Sequence, residues 1–170
     1  MKKMDPSELT IRPFHLLDKE WGLLATGKEH PNLMTVAWGG FGTIWNKPVV
    51  IIYVRPTRHT FSILKDQPEF TLNIMPETYR KALEICGNQS GRTVDKWKAA
   101  GLKALNSDVV TVPRVDGADL SFECRVIASF IVDPVRFLDK AIEKLYPERD
   151  YHTAFVGEVC AVWATDRFCP

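Results

Sequence analysis

The order of apolar and polar positions along the chain predicts strands, with a few helices set between them. Trp21 to Thr26 is a short apolar run, Gly27 to Pro31 carries turn residues, and Asn32 to Trp38 is a second run. Together they read as a hairpin. Gly39-Gly40-Phe41-Gly42 reads as the end of it. Val49 to Val54 is an unbroken, largely β-branched run, the pattern of a strand covered on both faces. Phe70 to Met75 alternates, with Phe70, Leu72 and Ile74 on one face and Thr71, Asn73 and Met75 on the other. Leu120 to Val132 is the longest strand, with Leu120, Phe122, Cys124 and Val126 opposite Ser121, Glu123 and Arg125. Phe155 to Trp163 is the last.

Helical spacing appears in three places. Tyr79 to Cys86 carries Tyr79, Ala82, Leu83 and Cys86 on one stripe, with Thr78 as the expected cap and Gly87 as the stop. A shorter helix is predicted from Thr93 to Ala100. A third opens at Asp133-Pro134, with Val135, Leu138, Ile142 and Leu145 on one face and an end before Pro147. Strands with inserted helices point to an α+β barrel. A Rossmann sheet is excluded, because strict βαβ alternation and a glycine fingerprint after the first strand are both missing.

Composition adds bounds. A chain of 170 residues, 45% hydrophobic and 25% charged, fits one globular domain spanning 1–170, with 1–10 expected as a flexible tail. The net charge of +1, from 22 basic and 21 acidic residues, provides no field for nucleic acid or an anionic membrane. The charged start, Met1 to Glu8, is not followed by a long apolar run, so no secretory signal is expected. No apolar stretch is long enough to span a bilayer. The expected compartment is the cytoplasm. Cys86, Cys124, Cys160 and Cys169 form no CxxC pair and no zinc spacing, so no metal site is expected.

Two segments are rich in anion-binding groups. In Arg55-Pro56-Thr57-Arg58-His59-Thr60, proline turns the chain after a strand and a threonine is placed to cap a short helix. Free helix N–H groups beside arginines make a phosphate site. The same residues also read as a polar turn. In Ser90-Gly91-Arg92-Thr93-Val94-Asp95-Lys96, glycine lets neighbouring N–H groups converge into an anion nest, and Arg92 and Lys96 lie one helical turn apart. The alternative is a capped linker between helices. In the second predicted strand, Thr35 and Ala37 form a row of small side chains that lets a flat ligand approach the backbone, or packs as ordinary core.

These pieces occur together as Asn32-x-Met34-Thr35-x-Ala37-Trp38, Arg58-x-Thr60, Phe70-Thr71-x-Asn73 and Ser90-Gly91-Arg92-x-x-Asp95-Lys96, followed by Val156-Gly157-Glu158-Val159. In order and spacing the set resembles the flavin reductase-like family, which includes flavoredoxins, from about Trp21 to Trp163. The resemblance implies a split β-barrel, bound FMN and a homodimer with flavin near the subunit interface. It places Met34, Thr35, Val36, Ala37 and Trp38 along the flavin ring and ribityl chain. It places Arg58, Thr60, Ser90, Gly91, Arg92 and Lys96 around the phosphate and ribityl group, and Asn73 near the ring; Arg55 and His59, in the same candidate phosphate turn, are further cofactor-binding candidates. Lys47-Pro48 stands where the family often has paired prolines, and Val135 to Asp150 is a longer insertion than the family pattern, placed to cover a substrate entrance.

FMN brings its own hydride chemistry, which agrees with the lack of any catalytic acid, base or nucleophile in the sequence pattern. The leading expectation is an NAD(P)H:flavin oxidoreductase, with NADH or NADPH as co-substrate. The alternatives are an electron carrier serving a protein partner, and a barrel that holds another phosphorylated ligand without redox work.

Overall fold

The computed structural model describes residues 1–170. Ten strands form: β1 (Lys2–Met4), β2 (Gly22–Thr26), β3 (Asn32–Val36), β4 (Gly39–Ile44), β5 (Lys47–Val54), β6 (Glu69–Ile74), β7 (Ala104–Leu105), β8 (Arg114–Val115), β9 (Leu120–Ile131) and β10 (Thr153–Ala164). Eight of them make one antiparallel sheet in the order β3-β2-β6-β9-β10-β5-β4, with β1 added beside β10. It curls into a split β-barrel. The helices are α1 (Pro13–His15), α2 (His59–Asp66), α3 (Arg80–Asn88) and α4 (Lys96–Ala99).

Alternation in the strands builds two cores. Leu24, Phe70, Leu72, Ile74, Phe122, Phe155 and Val162 point inward and fill the barrel. Leu23, Ala25 and Leu33 point outward and meet Leu83 and Cys86 of α3, together with Val112 and Val115 from the 102–115 excursion. Gly157 lies where a Cβ would come within 2.5 Å of the Phe70 ring, so its missing side chain is what lets that ring sit fully inside.

Several expectations change. Residues 1–10 are not a loose tail: Lys2, Lys3 and Met4 pair with Ala164, Trp163 and Val162, and Leu9 packs on the barrel core. Gly39 to Gly42 does not end the hairpin but opens β4, which pairs with β5 from Gly39↔Ile52 to Ile44↔Lys47. Its two-residue turn, Trp45-Asn46, holds both residues at positive φ (52° and 58°), the twist a tight hairpin needs. From Val49 to Val54, β5 is fully buried on one face and only partly on the other, where Val49 is buried but Ile51 and Tyr53 remain partly exposed. α3 runs through Gly87 instead of stopping there, and Thr78 makes no cap. α4 is shorter than expected and is capped by Asp95, which accepts from the Lys98 N–H at 3.2 Å.

The third helix does not form. Asp133 caps as expected, accepting from the Val135 N–H, yet the chain closes only short 3-10 turns at Pro134–Arg136 and Lys140–Leu145. The expected apolar face is only partly covered: Ile142 lines a cavity beside Leu17, but Val135 is 85% and Leu138 99% exposed. A helix of this length gains most of its stability from such packing.

Candidate functional site

β3 pairs only with β2, so its other edge carries backbone groups outside the ladder. A groove runs along that edge. Its larger part is a cavity of about 490 Å3, lined by Met34, Arg55, Arg58, His59, Thr60, Ser90, Gly91 and Lys96 among others. A smaller part of about 190 Å3 is lined by Met34 to Trp38, Tyr53, Arg55, Arg58 and His152. Met34, Arg55 and Arg58 line both, so the two parts adjoin.

The polar end is assembled from two loops. After β5, the turn at Pro56 leads into α2, whose first residue is His59. Asn32 ties this corner to β3, since its Nδ2 donates to the Thr60 hydroxyl at 2.9 Å. The second loop follows α3. At Gly91 a Cβ would fall 1.8 Å from Asn32 Oδ1, so only glycine brings this loop so close to β3. Each loop sends an arginine across to the other: Arg58 donates to the Gly87 carbonyl at 3.2 Å and Arg92 to that of Thr57 at 3.0 Å.

Lys96 is buried at the floor of this end, and its Nζ donates to the carbonyls of Leu33 and Cys86, both at 2.8 Å. An ammonium has three donors, so one is left for the cavity that Lys96 lines. Burial lowers its pKa, and Arg58 adds to the effect. His59 also lines the cavity, and its buried Nδ1 has no partner. Burial, Arg92 and Lys96 all push its pKa down.

The other end is apolar and aromatic. Thr35 to Ala37 form one wall, and Thr35 anchors it by donating to the Leu83 carbonyl at 2.5 Å. Trp38 packs on His152 with ring centres 5.0 Å apart. His152 takes a 2.8 Å hydrogen bond with the Tyr146 hydroxyl. Its pKa is pushed down to about 4 by burial and then by Arg55, so the imidazole is neutral. Arg55 pairs with Asp150 at 2.6 Å, donates to the Leu145 carbonyl and lies over the Tyr146 ring. The 133–152 insertion is thereby held against the groove.

Of the residues expected from sequence, Met34 through Trp38, Arg55, Arg58, His59, Thr60, Ser90, Gly91 and Lys96 line the groove. Arg92 does not line it and instead braces the loops. Asn73 is a correction. It is fully buried on the far side of β6, where Nδ2 donates to Leu23 O and Thr71 Oγ1, and Oδ1 accepts from Val115 N and Ser121 Oγ. With its capacity used inside the protein, it has nothing left for a ligand. Sequence reading missed Tyr53, Asp150 and His152 as lining residues. Tyr53 was hidden by the assumption of a strand covered on both faces. Asp150 and His152 carry no local signal, since Asp150 meets Arg55 across 95 positions of chain.

The whole barrel region corresponds to a known family model, the flavin reductase like domain, over residues 21–168. The chain belongs to the flavin reductase-like family. An uncharacterized protein of Archaeoglobus fulgidus is 26% identical over 146 residues, covering 86% of this chain and 72% of that one. Among solved structures, flavoredoxin of Desulfovibrio vulgaris (Miyazaki F) has a TM-score of 0.70 at 21% identity, covering 98% of this chain and 78% of its own. An NADH:FAD oxidoreductase of Streptomyces globisporus has a TM-score of 0.68 at 18% identity, over 88% and 77%. An FMN-binding protein of Thermus thermophilus, with bound 1-cyclohex-2-enone, has 0.67 at 22%, over 96% and 78%. These likenesses establish the flavin reductase-like split barrel.

Proposed function

We propose that this protein binds FMN in the groove and is an oxidoreductase that passes hydride from NADH or NADPH through the flavin to an acceptor. One observation carries the reading: a cationic cavity and a smaller, more apolar one adjoin along a free strand edge. The residues fit FMN. Arg58, Lys96, Thr60, Ser90 and the first turn of α2 suit a phosphate dianion. The β3 edge from Met34 to Ala37, with Trp38, suits a flat ring with polar rims. Gly91 leaves the room a side chain would take, and the unpartnered His59 Nδ1 marks a polar corner built for more than the protein's own contacts. When bound, the flavin supplies hydride acceptance and donation, and the protein supplies position and charge. The NADH:FAD oxidoreductase and FMN-binding protein among the structural relatives support this reading.

FMN should bind at least about tenfold more tightly than riboflavin, the smallest effect expected from losing one charged hydrogen-bonded group. FMN-loaded protein mixed anaerobically with NADH or NADPH should bleach. Equal affinity for the two flavins would remove the phosphate assignment. Bleaching by dithionite but by neither nicotinamide would make the protein an electron carrier, the reading that the flavoredoxin likeness favours.

We propose that the chain pairs with a second copy of itself, as the family resemblance implies. Light scattering should give a dimer at micromolar concentration, and a monomer there would remove the assignment. No helix is long and apolar enough to cross a membrane, and we place the protein in the cytoplasm.

A further inference from the structure

A second cavity, of about 630 Å3, begins where the apolar end of the groove stops. Ala37, Trp38 and Tyr53 line both. Its remaining wall includes Leu17, Phe137 and Ile142, and its one charged lining residue is Asp18. A pyrophosphate would find no cation there, and any anion would meet a like charge. A flat uncharged molecule would bury its faces against aromatic rings. Tyr146 lines this cavity, His152 lines the groove, and the two are joined by their 2.8 Å hydrogen bond. The pair therefore spans the wall between the two spaces. With the proton on Nδ1 of His152, the tyrosine hydroxyl is left free to donate.

We propose that this cavity takes an uncharged quinone-type compound as electron acceptor, with the Tyr146 hydroxyl donating to its carbonyl oxygen and His152 resupplying the proton. The proposal rests on the flavin reading of the adjoining groove. Bound flavin would supply a hydride, which carries two electrons and one proton to the quinone. The Tyr146 O–H bond breaks as its proton goes to the oxygen that carries the negative charge, which completes the hydroquinone. Tyr146 regains a proton from Nδ1 of His152, water gives a proton to Nε2 and leaves hydroxide, and proton exchange with solvent returns the ring to its Nδ1–H tautomer. The quinone gains two electrons, which bound flavin would lose. A nicotinamide re-reduces the flavin in the proposed cycle, and dithionite does so in the test.

Menadione and a sulfonated naphthoquinone share a ring system and differ in charge. In equilibrium dialysis against the FMN-treated protein, menadione should be retained about tenfold or more better than the sulfonate. Ile142→Lys, which adds a cation to the wall, should narrow or reverse that preference. Tyr146→Phe should keep menadione retention within about threefold. It should also lower the ratio of menadione to ferricyanide reduction rates by about tenfold or more, since ferricyanide takes an electron and no proton. A merely structural role would lower both rates together and leave the ratio alone. The proposal is overturned if menadione is not retained, as when a second copy seals the cavity. Equal retention of the sulfonate, or an unchanged ratio in Tyr146→Phe, overturns it as well. Flavin loading is read separately by absorbance. Protein that stays colourless defeats the flavin reading and the reduction step, while dialysis still decides whether the cavity binds.

Discussion

Glu123→Gln should melt about 10 °C below the unmodified protein. Glu123 is fully buried on β9, on the face that sequence alternation sets opposite the barrel core. It is covered there by the loop before β8. Its carboxylate accepts from the backbone N–H of Asp108 (3.0 Å) and Val109 (2.7 Å) and from the Trp163 indole N–H (2.9 Å), and it pairs with Arg114 at 3.3 Å. Arg114 in turn lies over the Trp163 ring. Every partner is a donor or a cation. An amide in place of the carboxylate removes the charge that balances Arg114 and turns an N–H2 toward N–H groups. Removing one partner of a buried ion pair costs about 3–5 kcal/mol, and in a chain of this size each kcal/mol lowers Tm by about 2–4 °C. Thermal melts by circular dichroism measure the drop. The exposed Glu84→Gln, which breaks no hydrogen bond found here, should stay within about 2 °C. A Glu123→Gln melt as small as the Glu84→Gln control would show that the loop does not depend on this charge.

Lys96→Met should weaken FMN binding by about ten- to a hundredfold while leaving riboflavin affinity nearly unchanged, the range for one hydrogen bond to a charged group. The same substitution should lower stability by about 1–3 kcal/mol, because the buried carbonyls of Leu33 and Cys86 lose their donor. The two effects separate by ligand. Loss of the cation beneath the polar end acts on the phosphate, which riboflavin lacks. A shift of β3 would act on the ring, which both flavins share. Isothermal titration with each flavin decides between them. Equal losses for FMN and riboflavin would make Lys96 a brace for β3 and α3 and no more. Lys96→Arg should not restore binding, since a planar guanidinium cannot direct donors to two carbonyls and a third site from one nitrogen.

The strand pattern was legible where the two faces of a strand differ, as on β6 and β9, where a period of two follows from that difference; β2, with a core on each face, reads instead as an unbroken apolar run. The run from Leu120 to Val132 and the alternation from Phe70 to Met75 therefore landed on β9 and β6 with small boundary errors. The two anion-binding loops were legible only as turns rich in arginine, hydroxyls and glycine: no threonine caps α2 and Gly91 does not take a positive φ, and what fixes both Gly91 and Thr60 is Asn32, a residue far away in the chain. Asn73 misled because a polar residue on a strand looks the same whether it meets a ligand or the protein's own backbone. Only the arrival of Val115 and Ser121, from 42 and 48 positions away, shows that it meets the backbone.

Local pattern thus determined β2, β3, β5, β6, β9 and β10, and marked the two loops at the polar end of the groove, but not β1, β4, β7 or β8. The tertiary structure decided what depends on distant segments meeting. It set β1 against β10, gave Asp150 to Arg55 and His152 to Trp38, and left the Val135–Leu145 stretch without the packing that would have made it a helix. The physical reason is that periodicity and turn chemistry are short-range, whereas burial and ion pairing depend on which surfaces the whole chain brings into contact.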